Sequence, residues 1–172
     1  MKKVAFLIIC VSLLAVLIVS PVTAAPPTTI TVTWTEDATR YYPDGTVWAS
    51  WTGDANGPMD LLITGNAYHV VDVGEFYNTT LPDIEGSMII SGAGKFSGHT
   101  TYTSLASGLP IRELLNGDVM IDGSTLEGLY TQRAYAFGSA EDVLTSYPNS
   151  VPVKSENADG WWFIGYTEYT AY

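Results

Sequence analysis

The chain has 172 residues, with 18 acidic against 7 basic side chains, a formal net charge of −11 at pH 7 and one cysteine. So few cations cannot neutralise a run of phosphates, which excludes nucleic acid and anionic lipid surfaces as expected partners. A single cysteine excludes an internal disulfide framework.

Met1-Lys2-Lys3 precedes an apolar run from Val4 to Val19 that only Ser12 interrupts with a polar hydroxyl. The run is shorter than the roughly 20 residues a membrane-spanning helix needs. Ser20-Pro21 then breaks the helix, and Val22-Thr23-Ala24 supplies the small residues that signal peptidase reads. The expectation is a signal peptide over 1–24, cleaved after Ala24 or Ala25, and one secreted or cell-surface domain over 25–172 with no transmembrane span in its mature form. Cys10 lies in the middle of the apolar run, behind Leu7-Ile8-Ile9, and so does not fit a lipidated cysteine. Cleavage would leave a cysteine-free domain with five basic and eighteen acidic residues, held by its core alone.

In the mature part, Thr29-Ile30-Thr31-Val32-Thr33-Trp34-Thr35 alternates strictly and predicts a strand with Ile30, Val32 and Trp34 on its buried face. Tyr42-Pro43-Asp44-Gly45 predicts a turn into a second strand over 46–52 that pairs with the first. Strands over 59–64 and 67–73 flank Gly65-Asn66, a two-residue hairpin signal. Further strands are expected over 88–91, 95–103, 119–122, 126–137 and 161–169.

Helical signal is weaker. Pro110-Ile111-Arg112-Glu113-Leu114-Leu115 predicts one or two turns closed by Asn116-Gly117, and Ser139 is placed to cap a helix over 139–144 with acids in its first turn. Gly86–Gly92 and Gly117–Gly123 share a frame of two glycines around an apolar strand core, which reads as successive hairpins of a meander. The fold class is therefore all-β: a single-domain antiparallel β-barrel or β-sandwich of about nine strands with one or two short helices.

No Gly-x-Ser-x-Gly elbow is present, and neither His69 nor His99 sits in a nucleophile motif, so no catalytic residue is assigned. Metal binding through both histidines, with Asp72 or Glu75 as a third ligand, requires a coincidence of fold that spacing does not supply. Asp54, Asn56 and Asp60 place oxygen ligands at alternate positions around what reads as a tight turn, a partial calcium pattern without the remaining carboxylates of an EF-hand loop. A plain acidic turn is the simpler account, and no other cofactor is expected. Asn78-Thr79-Thr80 is an N-glycosylation sequon.

Five tryptophans and eleven tyrosines are the richest feature of the chain. Trp48 and Trp51 fall on opposite parities of one strand, and Trp161, Trp162 and Tyr166 lie in a run that is aromatic on both. Core packing accounts for most such rings, and the remainder would form a ligand-binding face able to stack on a glycan.

The segment Gly92-Ala93-Gly94-Lys95-Phe96-Ser97-Gly98 resembles the strand-Gly-x-Gly-x-Phe-x-Gly-strand signature of the allene oxide cyclase and dirigent-like barrels. Over these residues the resemblance implies an eight-stranded barrel with room for a small apolar ligand. It also implies that Gly94 and Gly98 are turn or bulge residues, with Gly92 in the same glycine frame, and that Phe96 is a barrel plug. It carries over no catalytic residue.

Three functions follow as expectations. The first is a non-catalytic surface protein acting in adhesion, ligand binding or assembly, including self-association by donation of the Thr28–Thr35 strand. The second is a barrel binding or converting a small apolar ligand, and the third is a carbohydrate-binding module that uses the tryptophans.

Overall fold

The computed structural model describes residues 27–77, 81, 83–154 and 159–172. The expected leader over 1–24 and the sequon residue Asn78 lie outside them. Among the described residues, no helix is long and apolar enough to cross a membrane.

The fold is all-β. Among the described residues nine strands, β1 (Thr28–Tyr41), β2 (Val47–Thr64), β3 (Ala67–Val70), β4 (Glu85–Ile90), β5 (Lys95–Thr103), β6 (Pro110–Asp122), β7 (Thr125–Gly138), β8 (Val151–Pro152) and β9 (Gly160–Ala171), form one sheet. Neighbours run in chain order from β1 to β7. β9 then joins β7 and turns back onto β1 through pairs from Glu36–Ala171 to Tyr41–Tyr166, so the strands close into a ring. The two-residue β8 lies on the outside of this order, bonded to β9 at Phe163 and Trp162.

Period-two alternation explains most of the ring. In β1, Val32, Trp34, Glu36 and Ala38 are buried while Thr31 and Thr33 face solvent. The predicted hairpins are present at Tyr42–Thr46, Gly65-Asn66, the turn after Ser91 and Gly123-Ser124, and the last two are the two glycine-framed repeats. The strands expected over 46–52 and 59–64 are one continuous β2, because residues between them continue the ladder to β1 through Asp54–Glu36, Ala55–Thr35 and Asn56–Trp34.

Two departures from the expected elements shape the interior. Pro110–Leu115 is strand, not helix: Ile111, Glu113 and Leu115 point inward in alternation, and Thr101–Arg112 and Arg112–Tyr135 pairs hold the segment on both sides. A single helical turn that the sequence did not announce, α1 (Val73–Phe76), is capped by Asp72, whose carboxylate accepts from the Gly74 amide at 2.8 Å. It carries Phe76 against Trp34, Phe96 and Tyr130 at centroid distances of 5.6, 6.0 and 5.9 Å. The expected second helix is present as α2 (Ala140–Ser146), capped by Ser139.

The core falls into two clusters. The larger gathers Val32, Trp34, Met59, Leu61, Phe76, Met88, Ile90, Phe96, Leu115, Val119, Leu126 and Tyr130; the smaller joins Ile111, Ala136, Trp162 and Ile164 to Val143 of α2. Burying rings such as Phe76 and Phe96 stabilises the fold by about 2 to 3 kcal/mol each at ordinary transfer values.

Candidate ligand-binding cavity

Between the two clusters runs a belt of polar side chains. Thr100 of β5, Glu113 of β6, Gln132 of β7, Thr167 of β9 and Arg40 of β1 are inward-facing residues from five successive strands of the ring, paired directly as Thr100–Glu113, Gln132–Thr167 and Thr167–Arg40. Glu113, Gln132, Thr100 and Thr167 are buried, so each must find hydrogen-bond partners inside the protein.

They do. Oε2 of Glu113 accepts from the Tyr77 hydroxyl and from Nε2 of Gln132, both at 2.6 Å, and Oε1 accepts from the Tyr102 hydroxyl at 2.9 Å. Tyr77 also meets Oγ1 of Thr100 at 2.6 Å, and Tyr169 donates to Oε1 of Gln132 at 2.7 Å. Burial raises the pKa of Glu113, against the lowering effect of Tyr77, Tyr102, Arg40 and Gln132. Burial and the adjacent Glu113 push the hydroxyls of Tyr77 and Tyr102 well above their ordinary range.

A cavity of about 380 Å³ opens over this belt on the α2 side. Arg40, Glu113, Gln132 and Thr167 form its polar part, Ile111, Ala134 and Ile164 its apolar wall, and Tyr102, Tyr147, Tyr166 and Trp48 its rings. The size and the mix of apolar walls with a few convergent polar groups are those of a small-molecule site. A larger groove of about 600 Å³ crosses the exterior of β6, β7, β9 and β1 beside Asp37, Asp118 and Glu168. All three acids are already engaged, Asp37 with the Gly53 amide and the Tyr172 hydroxyl, Asp118 with Lys95, and Glu168 with the Tyr41 hydroxyl.

Arg40 is held rather than paired. Nε donates to Oγ1 of Thr167 at 3.3 Å, and the guanidinium lies 5.4 Å from the Trp48 ring centre and 5.9 Å from that of Trp51. Two indoles within about 6 Å of a guanidinium attract it through their π faces. Trp51 in turn meets Tyr169 edge-on at 6.2 Å.

Compared with family models, curated proteins and solved structures, the chain has no significant match.

The five aromatic residues singled out from the sequence divide. Trp48 and Tyr166 line the cavity and Trp51 supports Arg40, whereas Trp162 is buried core and Trp161 pairs with Phe137 on the outer face at 5.3 Å. Asp54, Asn56 and Asp60 do not surround a turn: all three lie in β2. Asp54 and Asn56 oppose inward-facing Glu36 and Trp34, while Asp60 opposes exposed Thr31 and bonds to its hydroxyl at 2.6 Å, so a strand separates their side chains onto two faces. Among the described residues, no group of three or more His, Cys, Asp or Glu side chains converges as a metal site. His69 and His99 oppose Ile89 and Ser87 on either side of β4, apart from the cavity.

Gly92 lies in the β4–β5 turn, close against Asn66, and Gly94 completes it at φ 81°. Phe96 is buried as a core plug. Gly98 is neither turn nor bulge: it pairs regularly with Met88 and Leu115, and its role is to leave room, since a Cβ there would stand 2.7 Å from Cγ of Met88. Glu113 and Arg40 were missed from the sequence. The signal for Glu113 was the alternation Ile111, Glu113, Leu115, masked by residues that favour helix.

Proposed function

We propose that this is an exported, non-catalytic β protein that binds a small molecule in the cavity between the polar belt and α2. The observation that carries this reading is the combination, in one cavity, of the apolar wall Ile111, Ala134 and Ile164 with a hydrogen-bonded carboxyl and a guanidinium flanked by indoles. Glu113, held by Tyr77, Tyr102 and Gln132, gives the cavity a polar end of fixed geometry. The leader-like sequence over 1–24 supports the exported location.

The test is binding of a neutral fluorescent dye, Nile red, to residues 25–172, followed by Ala134→Phe, which fills the cavity. Saturable binding that the substitution weakens at least about tenfold, with the thermal midpoint kept near that of the parent, supports the reading. Binding that is unaffected by the filling residue places the dye elsewhere and overturns it.

A second reading, recognition of a glycan, is favoured by the outer face of β7 and β9. There Tyr135 pairs with Phe163 at 5.4 Å and Phe137 with Trp161, leaving half-exposed rings in a row. Enhanced tryptophan emission change with oligosaccharides, lost in Trp161→Ala but not in Ala134→Phe, distinguishes it. Strand donation would need β1 released, whereas here β1 is bonded to β2 and to β9 of its own chain.

A further inference from the structure

We infer that the cavity is selective for a compact organic carboxylate, whose anionic end is taken by Arg40 while its apolar body lies against Ile111, Ala134 and Ile164. The inference rests on the small-molecule reading above and names the ligand class.

The chain carries a strong excess of acidic groups. Among the described residues Lys95 pairs with Asp118, whereas Arg40, like Arg112, Arg133 and Lys154, has no carboxylate within 4.0 Å; of these unpaired cations Arg40 is the one that lines the cavity. Glu113 faces the same cavity but its oxygens already accept from Tyr77, Tyr102 and Gln132. Only Nε of Arg40 has an acceptor, the Thr167 hydroxyl. The two terminal amino groups, the half of the fork that grips a carboxylate in bidentate fashion, have none among the described residues.

The fork is also pre-oriented. The Trp48 and Trp51 rings lie within about 6 Å of the guanidinium and Thr167 accepts from its Nε, so part of the side-chain freedom whose loss weakens an exposed arginine–carboxylate contact is already given up in the folded protein. Trp48 and Tyr166 line the cavity beside it and would cover a bound carboxylate from water, which strengthens the pairing. Size restricts the ligand further. At about 30 Å³ per water, 380 Å³ holds about a dozen water-sized units, enough for a single ring bearing a short acid side chain.

Phenylacetate and its neutral isostere phenylacetamide are the probes, titrated by calorimetry and by displacement of Nile red from residues 25–172. The acid is expected to bind at least about tenfold more tightly than the amide, and Arg40→Gln to bring the acid down to the level of the amide while leaving the amide within about twofold. Because the comparison of acid with amide needs no substitution, it stands even where Arg40→Gln loosens the hairpin that carries Trp48. Equal affinity for acid and amide, or displacement of the dye by the amide alone, overturns carboxylate selectivity and leaves the cavity as a neutral site. Absence of calorimetric binding by both phenylacetate and phenylacetamide removes the cavity reading and this inference together.

Discussion

The hydroxyl of Tyr77, one residue beyond α1, donates to Oε2 of Glu113 near the start of β6 at 2.6 Å. A residue from the β3–β4 connection thus completes a polar network whose other members belong to the far strands of the ring. Tyr77→Phe deletes that donor and the contact to Thr100 while keeping the ring. Leaving a buried carboxyl short of one partner is expected to destabilise the fold by about 1 to 3 kcal/mol, read from urea unfolding at pH 7. A change below about 0.5 kcal/mol would show that the bond contributes nothing net.

The pH dependence has a definite sign. Burial raises the pKa of both Glu113 and Glu36 above the ordinary 4.5, in Glu36 despite bonds from Tyr130 and Trp34. Between 4.5 and the raised values the folded state keeps a proton that the unfolded state has released. These two groups therefore contribute stability that is fully present below 4.5 and is lost as pH rises through their folded values. Glu113→Gln, which fixes the neutral form, is expected to flatten the fall of the thermal midpoint over that window relative to the parent protein. Parallel profiles for the two proteins would refute the assignment.

Tyrosine titration gives an independent reading of the same interior. Tyr77, Tyr102, Tyr130 and Tyr169 all have hydroxyls pushed above 10.0 chiefly by burial. Of eleven tyrosines, these four are expected to stay un-ionised in the folded protein at pH 11 and to titrate only as it unfolds, seen as a late, cooperative rise in absorbance at about 295 nm. Their raised values mean that stability is present below about pH 10 and falls above it. Smooth ionisation of all eleven without unfolding would show an open interior.

Gly117 tests the ring at a point where two strands touch. A Cβ there would stand 2.3 Å from the Leu129 carbonyl oxygen and 2.5 Å from Cα of Tyr130, backbone that cannot move without breaking the β6–β7 ladder. Gly117→Ala is expected to cost at least about 2 kcal/mol in denaturant unfolding, by the strain that overpacking imposes. Gly98→Ala meets the flexible Met88 side chain and one carbonyl at 3.0 Å, and its cost should be smaller. The reverse order would contradict the packing described.

Much of this architecture was legible where one physical rule acted alone. Strict alternation in Thr29–Thr35 announced β1 and its buried face, Gly65-Asn66 announced a hairpin, and Ser139 announced α2. Reading failed where local preference and tertiary context disagree. Arg112, Glu113, Leu114 and Leu115 favour helix in isolation, but ladders from β5 and β7 on both sides hold them extended. With the segment misread, Glu113 was invisible as an inward residue. α1 is a single turn, too short for periodicity to register, and depends on Asp72 and the burial of Phe76. The polar belt could not be read at all, because its members are up to 127 positions apart and only ring closure assembles them.

That closure also sets an order in time. The seam between β1 and β9 joins residues such as Tyr41 and Tyr166, with almost the whole domain as the intervening loop. The meander from β3 to β7 can form from near neighbours, but β1 must wait for β9 before its second edge is satisfied. Chains with such distant pairings fold over milliseconds to seconds rather than microseconds. A newly made chain therefore passes through a stage in which the hairpin of β1 and β2 exists with one edge bare, and that interval is when a chaperone or a second chain has access to it.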